Sequence, residues 1–459
     1  MDIPSELLEK YNQPVPRYTS YPTANNFTEA VSAGDYYNIL ELSNSRQPEN
    51  IAFYVHIPFC RKMCHYCGCN SCRLCSEAEH VKYHEALKKE ISLLTSRLDK
   101  SRSVTQVHFG GGTPNAVPVD YLVELVNIFK SGFNFASDAE IAVECHPALL
   151  RTVDIDSLKK AGFNRFSLGV QDFNRDVLRM VNRDPSKIPV DELMEYIRDG
   201  NKDIAVNLDF IYGLPGQTPG SFEETISRAA EMRPDRLVTF SYAHVPWLKK
   251  NQKILEKYGL PAPGEKMEMF LGAYNKLKRS GYMPVGFDHY VLPKDELYLA
   301  LERNLLHRNF QGYCTRRTTG QVYAFGVSAI SQLENAYIQN VKSVKEYTEL
   351  LDNNILPVEK GRTLNKKEKI TREIITYLMC NKSLNWEMIS ELAGTGVSDI
   401  KKTVRIDNEA LNGFADDGLI EFDDNNIFVT ETGSMFIRNI AASLDPAYIP
   451  AENKYSKSV

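Results

Sequence analysis

The chain has 459 residues, 43% of them hydrophobic and 25% charged, with a formal net charge of −5, the balance of an ordinary globular protein. That charge speaks against a general nucleic-acid or anionic-membrane binder, and no apolar run reaches the ~18 residues a transmembrane helix needs. The N-terminal MDIPSELLEKYNQPVPRYTSYPT carries acidic residues and no apolar core, so it does not read as a signal peptide. A cytoplasmic monomer is the expectation.

Past an arm over residues 1–50, short apolar runs alternate with longer amphipathic stretches. The runs are IAFYVHI (51–57), VTQVHF (104–109), EIAVEC (140–145), NRFSLGV (164–170), IAVNLDFI (204–211) and RLVTFSY (236–242). Their Val, Ile, Phe and Tyr content and their length predict strands. Between them, residues 79–98, 119–131 and 219–232 carry helical periodicity. Repeated strand–helix units predict parallel strands, here an α/β fold with a partial (β/α)6 TIM-like barrel over residues 51–250. Residues 251–360 read as an extension of the barrel with substrate-covering segments.

After residue 360 the pattern changes. NKKEKITREIITYLMCN and SLNWEMISELAG read as helices, and LIEFDDNNIFVT as two strands around a polar turn. TETGSMFIRNIAASL reads as a closing helix capped by Thr430 or Thr432. Residues 361–459 are therefore expected to form a mostly helical, winged-helix-like domain, and DDNN at the turn argues against DNA binding.

Polar and glycine-rich signatures follow the predicted strands: the Cys60 loop, GGGTP (110–114), Glu144, Gln171, Asp209 and Tyr242-Ala243-His244. Parallel strands would bring all of them to one face, the C-terminal end where such barrels do their chemistry. Of nine cysteines, six fall between Cys60 and Cys75, the others being Cys145, Cys314 and Cys380. An odd, clustered set without a secretion signal points to a metal site rather than a disulfide framework. Cys60-x3-Cys64-x2-Cys67 offers three thiolates within eight residues, which suits a cubane with one iron left open. Structural zinc normally takes four protein ligands, and the further pairs Cys69/Cys72 and Cys72/Cys75 keep that reading open.

C-x3-C-x-aromatic-C after a first strand, with Tyr66 as the aromatic residue, resembles the radical S-adenosylmethionine (SAM) superfamily. The segments PVPRYTSYPT (14–23), FYVHIPFCRKMCHYCGCN (53–70), HFGGGTPN (108–115), GFNRFSLGVQDFNRDVLRMVNR (162–183), LDFIYGLPGQTPGSF (208–222), FSYAHVP (240–246) and HRNFQGY (307–313) are similar to the oxygen-independent coproporphyrinogen III oxidase family over nearly the whole chain. The resemblance implies a [4Fe-4S] cluster on Cys60, Cys64 and Cys67, and one or two SAM molecules. It also implies radical decarboxylation of two propionates of coproporphyrinogen III to vinyl groups, giving protoporphyrinogen IX in haem biosynthesis.

By the same resemblance, Tyr54, Gly111, Gly112, Thr113, Glu144, Gln171, Arg183, Asp209, Ile211 and Ala243 would contact SAM. Four propionates call for arginines, for which Arg17, Arg308, Arg316 and Arg317 are the candidates. Implied partners are an electron donor of flavodoxin or ferredoxin type and an electron acceptor. Two related readings compete: a haem chaperone on the same scaffold, and another radical SAM tetrapyrrole enzyme such as an anaerobic haem-opening methyltransferase. Cys69 and the PRYTSYPT arm favour the oxidase over the chaperone. Cys72 and Cys75 fall outside the recognised pattern.

Overall fold

The computed structural model describes residues 4–74, 76–199, 201, 203–315 and 321–449. Two compact units emerge, one from residues 28–265 and 317–363, the other from residues 1–27, 266–316 and 364–459. Among the described residues no helix is long and apolar enough to cross a membrane.

The first unit is organised by a large sheet. Its strands are β1 (Ile51–Ile57), β2 (Ser103–Gly111), β3 (Asn134–Cys145), β4 (Arg165–Gln171), β5 (Ala205–Tyr212), β6 (Arg236–Ser241), β7 (Val322–Phe325), β8 (Ile330–Gln332), β9 (Ala336–Asn340) and β10 (Val358–Thr363). They lie in the order β10-β9-β8-β7-β1-β2-β3-β4-β5-β6. Strands β1 to β6 are parallel throughout, and β7 joins parallel to the free side of β1. An antiparallel run through β8, β9 and β10 then extends that edge. The six predicted strands all form, in an open parallel arrangement extended by a seventh parallel strand from the 251–360 region.

Helices Glu77–Thr95, Val119–Gly132, Thr152–Ala161, Val190–Arg198 and Pro219–Glu231 connect the parallel strands. Burial on both faces explains why β1 reads as a near-continuous apolar run, with only Tyr54 half-buried. Register puts Ile57 opposite Gly111, Glu144 opposite Ser167 and Gly169 opposite Asp209. The signatures read after the strands therefore do meet at one sheet end.

One carboxylate inside this unit is buried in the helix Glu77–Thr95. Glu90 accepts hydrogen bonds from Gly326 N (2.7 Å), Asn340 Nδ2 (2.6 Å) and the Tyr347 hydroxyl (2.5 Å), and so pins the β7–β9 edge to the helix. Burial pushes its pKa up from 4.5 to about 7, despite those three donors. The folded state thus holds a proton that the unfolded chain releases, a contribution of about 3 kcal/mol. That stability is fully present below about pH 4.5 and lost as the pH rises through about 7. Glu90→Gln should flatten the fall, measured as urea midpoints across this range; an unchanged slope would assign it to another group.

The second unit holds the PVPRYTSYPT arm in place. Tyr18 and Tyr21 donate to the two oxygens of Asp445 (3.0 and 2.9 Å), Tyr448 donates to Pro14 O (3.1 Å), and Arg438 Nε donates to Pro16 O (3.0 Å). The buried helix Lys366–Asn381 starts with a reciprocal Asn365–Glu368 capping box. The sheet beyond it pairs Ser383–Asn385 with Asn426–Val429, and that strand with Ile420–Phe422.

Here the sequence reading needs correction. Ser383–Asn385, taken as the start of a helix, is a strand. Lys382 ends the preceding helix in the left-handed conformation, and the Asn385 side chain then caps the helix Trp386–Ala393. Two helices not foreseen, Val397–Lys401 and Asn408–Asp416, precede the hairpin. Asp423 closes its turn by accepting from Asn425 N and Asn426 N, each at 2.7 Å. Of the two proposed caps, Thr430 is the one whose hydroxyl accepts from Gly433 N (2.9 Å).

Candidate functional site

The cysteine loop leaves β1 and folds back on itself. Phe59–Cys60 pairs with Cys72–Arg73, and Gly112 N donates to Ile57 O (2.8 Å), tying the GGGTP segment to the same turn. Three of its sulfurs have separate polar partners. Cys60 Sγ lies 3.3 Å from Thr113 Oγ1, Cys64 Sγ accepts from Arg183 Nη1 (3.6 Å), and Cys67 Sγ lies 3.7 Å from Ser71 Oγ. A hydrogen bond from Cys69 is the leading cause that draws the Cys67 thiol towards ionisation, while the donor's own thiol is held protonated. Burial pushes Cys60 up to about 11 against the pull of Thr113, so Cys60 needs a cation-rich partner before it can serve as a thiolate ligand.

The far side of the loop is anchored in turn. His65 N donates to Val181 O (3.0 Å), and Asn182 Nδ2 to Met63 O (2.8 Å). Tyr66 packs on a cluster of Val177, Val181, Leu214, Tyr242 and Leu255, joined by Ile211. Gln252 Nε2 donates to both Tyr66 O (3.0 Å) and Ala243 O (3.2 Å). Ile211 and Ala243 therefore share their surroundings with the cysteine loop.

On the neighbouring strands the predicted residues meet around Glu144. His108 Nε2 lies 2.9 Å from Glu144 Oε1, and Gly111 N donates to Glu144 Oε2 (3.3 Å). Burial opposes charge on His108, but Glu144 and the more distant Glu140 and Asp209 outweigh it, so its pKa stands above the usual imidazole value. The Tyr54 ring stacks on His108 with centroids 5.8 Å apart. Burial keeps His56 neutral. Its Nε2 therefore donates to Asn70 O (2.9 Å), and Nδ1 accepts from the Tyr54 hydroxyl (3.1 Å).

The glycines make these approaches possible. Gly111 has φ +119°, and a Cβ there would lie 2.8 Å from the His56 ring. A Cβ on Gly112 would lie 2.6 Å from Pro58 O and 3.1 Å from Cys60 Sγ. Both glycine N–H groups are already used within the protein, so this segment has carbonyl oxygens to offer, the right partners for a ligand's ammonium.

Two polar groups in the site are buried with no hydrogen-bond partner among the described residues, Gln171 Oε1 and Arg183 Nε. Gln171 sits at φ 72° at the end of β4, a left-handed conformation costly for a side-chain-bearing residue. Arg183 Nη2 donates to Gly169 O. Strain, an orphaned acceptor and an orphaned donor in one place fit a site shaped for a polar ligand. By type, the three sulfurs, Glu144 and the half-buried Asp209 are the donors that a thiolate-ligated cluster carrying an amino acid with ammonium and carboxylate groups calls for, but among the described residues no three of them are gathered at metal-ligand distance.

Of the arginine candidates, Arg17 and Arg308 belong to the second unit. The Arg308 guanidinium lies 5.0 Å over the Tyr313 ring, with its Nε unpartnered among the described residues. Arg17 follows Val15 and Pro16, whose carbonyls accept from Arg438. Burial, then the charges of Arg17 and Arg308, pull Arg438 down to about 9. Burial and Arg17 likewise pull Lys266 down to about 8. Arg17, Arg308, Arg438 and Lys266 thus form one cationic group. Arg316 and Arg317 lie outside the described residues. Sequence reasoning missed Arg438 and Lys266; an arginine within the apolar FIRNIA stretch was the available signal. It also passed over His108, although HFGGGTPN had been singled out.

Residues 54–229 match the radical SAM superfamily, and residues 364–436 match the HemN C-terminal domain. The oxygen-independent coproporphyrinogen III oxidase of Synechocystis sp. is 37% identical over 455 residues, covering 99% of this chain and 97% of the relative. That of Escherichia coli K12 is 38% identical over 440 residues, covering 96% and 94%. The solved structure of Escherichia coli coproporphyrinogen III oxidase, described as a radical SAM enzyme, superposes with a TM-score of 0.88 at 36% identity, covering 98% of this chain and all of the other. The chain belongs to the oxygen-independent coproporphyrinogen III oxidase family of the radical SAM superfamily.

Proposed function

We propose that this chain converts coproporphyrinogen III to protoporphyrinogen IX without oxygen, by oxidative decarboxylation of two propionates to vinyl groups. The observation that carries the reading is similarity along the full chain, from the PRYTSYPT arm to the C-terminal domain, with the three-cysteine loop intact. When bound, the [4Fe-4S] cluster and SAM supply a 5′-deoxyadenosyl radical able to remove hydrogen from a propionate β-carbon, after which carbon dioxide and one electron leave.

The chain's own residues bind and orient these groups. Cys60, Cys64 and Cys67 would hold the cluster. The Gly111-Gly112-Thr113 backbone and Glu144 suit the SAM ammonium, and Arg183 suits its carboxylate. Tyr54, Gln171 and Asp209 would line the same pocket, and Ile211 and Ala243 would meet the adenine. His108 holds Glu144 in place through its hydrogen bond. The cationic group around Arg17 and Arg308 would receive propionate carboxylates, with Arg438 fixing the backbone that carries Arg17.

Reconstituted protein, reduced with dithionite and given SAM and coproporphyrinogen III anaerobically, should yield 5′-deoxyadenosine and, after oxidation, protoporphyrin. 5′-Deoxyadenosine without porphyrin change would refute the substrate. Stable haem binding without turnover would make the chain a haem carrier instead.

A further inference from the structure

Two segments that meet at the cysteine loop are basic in a chain of acidic net charge. Residues 58–75 contain Arg61, Lys62 and Arg73 and no carboxylate, and residues 244–260 contain Lys249, Lys250, Lys253 and Lys257 against a single Glu256, in a chain of net charge −5. Glu256 is engaged by His244 at 3.0 Å, whereas Lys250, Lys253 and Lys257 are exposed. Lys62 pairs with Asp184 at the surface.

The second segment is seated directly on the loop. Lys249 Nζ donates to Cys69 O (2.8 Å) and Gln252 Nε2 to Tyr66 O (3.0 Å), while Leu255 is fully buried in the cluster that includes Tyr66. The same segment presents Trp247 and Leu248, 69% and 72% exposed, the most exposed large apolar side chains among the described residues. A lone exposed apolar residue needs no explanation. An adjacent tryptophan and leucine, rimmed by lysines and resting on a cysteine loop, form the pattern of a docking site.

We propose that Trp247 and Leu248, with the Lys250, Lys253 and Lys257 rim, form the landing site of an acidic one-electron carrier protein that reduces the cluster. The inference rests on the cluster assignment made under the proposed function. The reaction draws electrons from outside the chain, and the carrier gives up one electron, which the cluster gains, with no bond made or broken. A basic rim steers an acidic partner and an apolar tip fixes its orientation, in the small, short-lived contact an electron carrier needs.

The test uses the anaerobically purified holoenzyme and a purified flavodoxin of net negative charge. Replacing Lys250, Lys253 and Lys257 together by Glu should weaken flavodoxin binding at low salt at least about tenfold, with the difference shrinking at high salt as the charges are screened. Trp247→Ala should weaken it about tenfold at both salt levels. Cluster reduction by flavodoxin, followed by electron paramagnetic resonance, should slow in parallel, while dithionite-driven SAM cleavage stays at the wild-type rate. Unchanged affinity and salt dependence in both variants would overturn the proposal, as would an effect confined to the KM for coproporphyrinogen III. Failure of dithionite to drive SAM cleavage in the unmodified enzyme would instead overturn the functional reading.

Discussion

Cys64→Ser is expected to strip the purified protein of its iron–sulfur absorbance and reduce its iron content to background, whereas Cys72→Ser should keep both. Cys60, Cys64 and Cys67 each have a polar partner suited to a sulfur bearing negative charge: Thr113, Arg183 and Ser71. Losing one of three thiolates leaves a cubane without a stable site. Cys72 is placed differently. It pairs with Phe59 in the short parallel strand, so its side chain shares the Phe59 side, opposite Cys60. Phe59 faces Tyr83, with ring centroids 5.3 Å apart, and the Tyr83 hydroxyl donates to His56 O (2.8 Å). Cys72 is therefore half-buried on the Phe59 side of the loop, away from Cys60. Equal iron loss from the two variants would move the ligand set to the second half of the cysteine run.

Arg183→Met should weaken SAM binding by roughly 30-fold to several thousandfold, the ~2–5 kcal/mol lost when one partner of a buried charge-assisted contact is removed. The guanidinium is wedged between Cys64 Sγ and Gly169 O, and a Cβ on Gly169 would lie 3.0 Å from its Nη2. The site therefore accepts a flat, forked cation and little else, so Arg183→Lys should recover only a small part of the affinity. Equilibrium binding of SAM measures the effect, and iron content in the same samples separates it from loss of the cluster. Wild-type affinity in a cluster-loaded Arg183→Met protein would remove Arg183 from the pocket.

Much of this site could be read before any coordinates, because parallel strands turn a one-dimensional rhythm into a shared edge. The apolar runs marked β1 to β6, and the residues just after them meet at one sheet end. The polar half of β3, NFASDA, gave no strand signal, because none of it is buried and only Asn134 and Phe135 there pair with β2. The register also explains why Glu144 could be singled out while His108 was not. A carboxylate at a strand end is conspicuous, but its partner two strand positions before GGG looks like any packed ring.

Other features depend on contacts far apart in the chain. Glu90 has the pattern of a solvated helix position, and only its bonds to Gly326, Asn340 and Tyr347 reveal it as buried. Cys69 matches the family's fourth cysteine, and its contact with Cys67 draws that thiol towards ionisation. Ser383–Asn385 misled because its residues suit a helix start as well as a strand, and the left-handed turn at Lys382 decided between them.

The most direct test follows the hydrogen atom. Coproporphyrinogen III deuterated at the propionate β-carbons is given to the reduced, cluster-loaded enzyme with SAM under strict anaerobiosis, and the 5′-deoxyadenosine is weighed by mass spectrometry. Deuterium in the 5′-deoxyadenosine, appearing in step with vinyl formation, is the predicted result. Protoporphyrin formed with unlabelled 5′-deoxyadenosine, or label transfer unaffected by Cys64→Ser, would contradict the account.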